Sequence, residues 1–137
     1  MADQATLDKK YLEIAHVWSK LSQAHRMQVG CIVVKDHQII SDGFNGTPAG
    51  FDNACEDEHN VTKPEVLHAE SNALMKLATS TQCSKDATIY VTLSPCFECS
   101  KLIIQAKIKR VVFSDLYRIN SGIELLRKAG IAVDHIK

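Results

Sequence analysis

The sequence predicts an α/β protein, a three-layer α/β/α sandwich around a mixed five-stranded sheet. Three observations carry this. The apolar patterning runs in the order αββαβαβαβ. In the second half strands alternate with helices, which implies parallel pairing through helical crossovers. Near the N-terminus two β-branched runs turn back on each other at Asp36-His37, which makes an antiparallel hairpin.

Each element has its own signal. Over Leu7–Leu21 the residues Tyr11, Ile14, Ala15, Trp18 and Leu21 or Ser22 recur at three- and four-residue steps, one apolar face of a helix. Gly30–Val34 and Gln38–Ser41 are the hairpin strands. Gly43–Pro64 is rich in Gly, Pro, Asn and Asp and reads as a long loop, a length that in compact domains tends to carry function. A second helix is expected over Val66–Ala78, a strand over Ile89–Leu93, a third helix over Cys96–Ala106 and a strand over Lys109–Phe113. Ser121-Gly122-Ile123-Glu124 reads as a capping box opening a fourth helix that stops near Gly130, and Ile131–Val133 is the last strand.

At 137 residues the chain suits one domain, 1–137. Sixteen Lys+Arg balance sixteen Asp+Glu. That argues against a nucleic-acid binder, which carries a basic surplus, and leaves room for a small anionic ligand. The neutral balance also leaves little repulsion against self-association, so a homo-oligomer is expected. No apolar run approaches the ~20 residues that span a bilayer, and Met1–Gln4 has no leader character, so a cytoplasmic protein without a membrane segment is expected. The five cysteines include one tight pair, which fits metal or catalytic use better than a disulfide framework.

The chemistry concentrates in His68-Ala69-Glu70 and Pro95-Cys96-Phe97-Glu98-Cys99. Cysteines at i and i+3 in a first helical turn point to one side, and the positive helix end there favours thiolates. One imidazole and two thiolates satisfy zinc while leaving a fourth position open. Glu70 lies two residues from His68 and need not bind the metal. Beside an activated water it is the candidate general acid and base. The pairing H-x-E with P-C-x-x-C is the known signature of zinc deaminases acting on cytosine or adenine. The competing reading is a closed structural zinc knot with Cys31, Cys55 or Cys83 as fourth ligand.

Further segments extend the likeness: Gln28–Cys31, Gly43-Phe44-Asn45-Gly46-Thr47-Pro48-Ala49-Gly50, His68–Ala73, Tyr90–Cys96 and Lys101–Ala106. With them the chain resembles the cytidine deaminase superfamily, and within it the deoxycytidylate (dCMP) deaminases, over essentially its whole length. It departs from them at Phe44, where Tyr is usual, and in a short Asp52–Glu65 segment.

The resemblance implies a cytidine-deaminase-like fold and a zinc ion held by His68, Cys96 and Cys99. Glu70 would move protons from the activated water to N3 and then to the departing amino group. dCMP would become dUMP and ammonia, feeding dTMP synthesis. It also implies that Asn45 contacts the substrate sugar, that Tyr117 packs near the base, and that dCTP activates and dTTP inhibits, with Mg²⁺, in a hexamer. Gly43, Phe44, Asn45 and Gly46 are the candidate effector residues, on the argument that the backbone N–H groups of a glycine-bearing turn can meet triphosphate oxygens. Arg26, just before the first strand, is the candidate for the 5′-phosphate. Each has a plainer alternative: a turn for Asn45-Gly46, a core aromatic for Tyr117, a solvated charge for Arg26. Cys55-x₃-His59 has metal-like spacing, so a second, structural zinc drawn from His25, Cys55, His59 and Glu65 is a further expectation, against a plain polar loop. Readings kept beside dCMP deamination are a cytidine, deoxycytidine or nucleic-acid-base deaminase and a non-catalytic zinc module that binds a nucleotide.

Overall fold

In a computed structural model that describes residues 2–137, the chain forms the expected nine elements in the expected order. These are α1 (Gln4–Ser19), β1 (Gly30–Lys35), β2 (Gln38–Phe44), α2 (Ala69–Ala78), β3 (Thr88–Leu93), α3 (Phe97–Gln105), β4 (Arg110–Asp115), α4 (Ser121–Lys128) and β5 (Ala132–His135). The strand order is β2-β1-β3-β4-β5. β1 pairs antiparallel with both β2 and β3, whereas β3-β4 and β4-β5 are parallel, so the sheet is mixed.

Successive residues of the central strands face opposite layers. Ile32, Val34, Tyr90 and Val112 meet Leu12 and Ala15 of α1. Cys31, Val33, Ile89, Val91, Val111 and Phe113 meet Ala73 of α2, Ile103 of α3 and Leu126 of α4. Burial on both faces is why these strands read as continuous apolar runs. α1 sits so close to the sheet that a Cβ on Gly30 would lie 1.9 Å from the carbonyl oxygen of Ala15.

α1 is also tied by charge. Asp8 is 3% exposed and takes both prongs of the Arg110 guanidinium, at 2.9 and 2.8 Å, together with the Tyr90 hydroxyl at 2.6 Å. Burial works against the Asp8 carboxylate, but Arg110, Tyr90 and Gln4 outweigh it and hold it below the usual carboxylate range. Arg110 reaches on to Asp134 at 2.9 Å, so the network joins α1 to three strands.

Several boundaries differ from expectation. α1 begins at Gln4 because the Asp3 carboxylate caps it, accepting from Thr6 N at 2.9 Å; the polar first turn carries no apolar period. Leu21 lies outside the helix and is 50% exposed. β2 runs on to Phe44, so Gly43 and Phe44 are strand residues paired with Cys31 and Gly30. α2 begins at Ala69 with His68 as its N-cap. The capping box does not form: Asn120 is the N-cap, Ser121 is already helical, and Glu124 N bonds the Asn120 carbonyl.

Candidate active site

Two helix N-termini meet over the C-terminal end of β3. Ser94-Pro95 leads out of the strand, and Cys96 takes the N-cap of α3 with its Sγ accepting from Cys99 N at 3.4 Å. Cys99 follows in the first turn and is buried. From the other side the long loop delivers His68 to the N-cap of α2. Its Nδ1 lies 3.2 Å from Cys99 Sγ and 3.4 Å from Cys96 Sγ.

These distances fit a zinc site. Tetrahedral zinc with ordinary Zn–S and Zn–N bonds places N and S about 3.5 Å apart. Protonation tells the same story. The Cys96 thiol is pulled down to about 4, first by hydrogen bonding from the Cys99 side chain and then by the His68 ring. Cys99 is pushed up by its bond to Cys96 and by burial, and His68 is pushed up by its bond to Cys96. Three donors share protons at a point where a divalent cation would replace them. Among the described residues this is the one group of three such side chains with ligand atoms within 4.8 Å of one another. Neither Cys31, Cys55 nor Cys83 joins it, so the closed-knot reading lacks its fourth ligand.

Glu70 lies one residue into α2, 4% exposed. Burial is the main reason its carboxyl is raised to about 7. It lines a cavity of about 500 Å³ together with His68, Cys96, Asn45, Arg26 and Tyr117. The catalytic, metal and substrate candidates of the sequence thus converge on one cleft.

Their geometry refines the expectations. Asn45 is more than a turn residue. Its Nδ2 donates to Met27 O at 2.8 Å and its Oδ1 accepts from Val29 N at 2.9 Å, fastening the segment before β1 beside the cavity. Tyr117 belongs to neither hydrophobic cluster; it is a half-buried cavity wall, its backbone N–H held by Ser94 Oγ at 2.7 Å and its ring 5.9 Å from the Arg118 guanidinium. Arg26 is exposed at the cavity wall.

Two expectations find no support in this geometry. The backbone amides meant for effector phosphates are already engaged: Asn45 N bonds Val29 O at 3.3 Å and Gly46 N bonds Leu67 O at 3.0 Å. Gly43 is buried under α2, where a Cβ would lie 2.4 Å from Ala69 O, so close helix packing explains that glycine. The second zinc group is not assembled either. His25, Cys55, His59 and Glu65 form no donor cluster; Cys55 is buried, while His25, Glu65 and His59 are exposed, the last beside Glu58.

The sequence reading missed Glu56, Asn72, Ser94 and Arg118. Asn72 Nδ2 donates to Phe44 O at 2.8 Å, locking α2 to the end of β2. Glu56, 9% exposed, accepts from the backbone N–H groups of His25 and Arg26. Its place next to Cys55 in a polar loop was the only signal the sequence offered.

Residues 5–115 match the family model of the cytidine and deoxycytidylate deaminase zinc-binding region. The chain belongs to that family. The family's region takes in both ligand motifs, Glu70 and Asn45, and ends just before Tyr117. The solved structure of the dCMP deaminase from cyanophage S-TIM5 in complex with dCMP and dUMP is 42% identical, with a TM-score of 0.95 over 98% of this chain and 100% of that one. Deoxycytidylate deaminase of Saccharomyces cerevisiae is 33% identical over 92% of this chain, and a probable deoxycytidylate deaminase of Caenorhabditis elegans 40% over 77%. The matched regions span 43% and 55% of those two relatives, about half their length. No helix among the described residues is long and apolar enough to cross a membrane.

Proposed function

We propose that this protein deaminates dCMP to dUMP and ammonia with one zinc ion held by His68, Cys96 and Cys99. The observation that carries the reading is the end-to-end likeness to an enzyme seen with dCMP and dUMP, joined to this chain's own buried Glu70 beside an open three-donor site. Zinc, when bound, supplies the Lewis acidity that makes water a nucleophile at neutral pH. Glu70 supplies the proton traffic. A buried carboxyl in the cavity wall, one turn from the metal donors, is placed to take and return a proton. It takes one from the attacking water, gives it to N3 of cytosine, and carries the second to the amino group, which leaves as ammonia as the C4 carbonyl forms. Asn45 has one N–H left for the sugar, Tyr117 forms a wall for the base, and the Arg26 guanidinium faces the 5′-phosphate.

The same proposal extends to a cytoplasmic, hexameric enzyme supplying dUMP for dTMP synthesis, activated by dCTP and inhibited by dTTP with Mg²⁺. Its support is the likeness to deoxycytidylate deaminases. Any effector contact near Gly43–Gly46 falls to side chains, Phe44 first, because the amides of Asn45 and Gly46 are engaged.

Ammonia release from zinc-loaded protein given dCMP, dCTP, deoxycytidine and CMP, each with and without dCTP or dTTP in Mg²⁺, tests both layers. dCMP should lead the panel by a wide margin, since a site with donors for a phosphate loses heavily without it. Equal kcat/KM on deoxycytidine would transfer the reading to a nucleoside deaminase, and hyperbolic kinetics without response to either triphosphate would remove the regulatory layer.

A further inference from the structure

The segment 25–29 between α1 and β1 carries no regular secondary structure until Gly30, yet its backbone is fastened at four points by two side chains. Asn45 holds Met27 O and Val29 N from the β2 side. From the long loop the Glu56 carboxylate accepts from His25 N with both oxygens, each at 3.0 Å, and from Arg26 N at 3.1 Å. Glu56 is itself anchored. It sits in a small bridge with Thr62, next to the buried Cys55, whose carbonyl accepts from Lys63 N at 2.8 Å.

An acidic side chain in the wall of a cavity meant for an anion is a liability unless its charge is taken up locally. Here the bonds from two successive backbone N–H groups take it up, and charge-assisted bonds of this kind are about twice as strong as neutral ones. The result is a division of labour within one residue. The N–H of Arg26 is pinned, while its exposed side chain, on a residue of the cavity wall, has no ion-pair partner among the described residues. A flexible arginine on a loose loop loses binding energy to the ordering of both loop and side chain; a pinned backbone removes the loop's share of that loss.

We propose that Glu56 is a positioning residue for anion recognition: by clamping the His25 and Arg26 amides it sets the Arg26 guanidinium against the phosphate end of the substrate. The inference rests on the dCMP reading above. It predicts a loss confined to the phosphate-bearing substrate. Glu56→Gln keeps the shape but gives up the charge and one acceptor oxygen.

The test measures kcat and KM of zinc-loaded full chain for dCMP and for deoxycytidine, in wild type, Glu56→Gln, Arg26→Ala and the double variant. Glu56→Gln should lower the preference for dCMP over deoxycytidine about ten-fold, mostly through KM, and add little on top of Arg26→Ala, because coupled residues are not additive. An equal loss on both substrates, or a full additive loss in the Arg26→Ala background, overturns the proposal. If Glu56→Gln does not fold, Glu56→Asp is read by the same rule; failure of both to fold, with Arg26→Ala folded, would assign Glu56 to the fold alone and also overturn it. Failure of the underlying reading looks different: wild type itself would show no preference for dCMP.

Discussion

Replacing Glu70 by Gln removes the carboxyl that can take up and release a proton and keeps the size of the side chain. The side chain is 4% exposed, has nearly the volume of glutamine and is absent from the His68–Cys96–Cys99 donor group. Zinc content should therefore stay at one per chain while turnover collapses. A general acid or base contributes roughly 10²–10⁴-fold per proton transfer, and Glu70 serves at least two, so kcat should fall by about 10⁴-fold or more with KM changed little. Burial raises the metal-free carboxyl from 4.5 to about 7, which at about 1.4 kcal/mol per pH unit penalises the ionised form by about 3 kcal/mol. The sign follows. Below the unfolded value both states are protonated and nothing is lost. As pH rises from 4.5 to 7 the unfolded chain ionises first, and stability falls. Metal-free Glu70→Gln should thus match wild type at pH 4 and exceed it at pH 8, by up to about 3 kcal/mol in denaturant unfolding. The assay pairs ammonia release with metal analysis and unfolding curves. A variant that keeps a tenth of the activity, or that loses zinc along with activity, refutes the reasoning.

Other consequences are simpler to test. His68→Ala, Cys96→Ala and Cys99→Ala should each lose zinc, whereas Cys55→Ser should keep one zinc per chain by metal analysis; two zinc ions in wild type falling to one in Cys55→Ser would establish a second, structural site. Arg110→Ala leaves Asp8 buried and uncompensated and should destabilise the chain by about 3–5 kcal/mol in denaturant unfolding; a change below 1 kcal/mol would show the pair to be dispensable. Because Asp8 is held below its ordinary value, the stability it contributes is present above about pH 4 and is lost as pH falls through its folded value, a difference between wild type and Arg110→Ala that acid titration reads directly.

Much of this was legible from residues because the signals were local. The mixed sheet followed from β-branched runs and their spacing, and β1, β3 and β4 sit within a residue or two of where those runs lie. The metal set was legible because His68, Cys96 and Cys99 occupy helix starts, where residue type and position reinforce each other. What stayed hidden was non-local. Nothing near Gly43 says that α2 will press on it; its glycine is explained by Ala69 and Ala73, some 26 to 30 residues on. Glu56 finds its donors at His25 and Arg26 across the domain, a pairing that no window of sequence contains. The capping box failed for a related reason: Ser121-x-x-Glu124 matches the motif, but the chain enters α4 one residue earlier, at Asn120.

The position of the site has a physical logic of its own. α3 follows β3 and crosses to β4, while α2 packs over β1 and β2, so the two helices diverge from a crevice at the C-terminal end of β3. Two helix N-termini brought side by side present unsatisfied N–H groups and two positive dipole ends, an arrangement that calls for negative charge between them. The thiolates answer it on α3, where Cys96 serves as cap and ligand together. On α2 the N-cap is His68, which makes no capping bond with its side chain. Ser or Asp at that position would stabilise the helix by about 1 kcal/mol. The chain forgoes that local gain and turns the imidazole toward Cys96 and Cys99 instead, with Glu70 on the same turn facing the cavity. A break in a local rule of this kind is the mark of a site shaped for chemistry more than for stability.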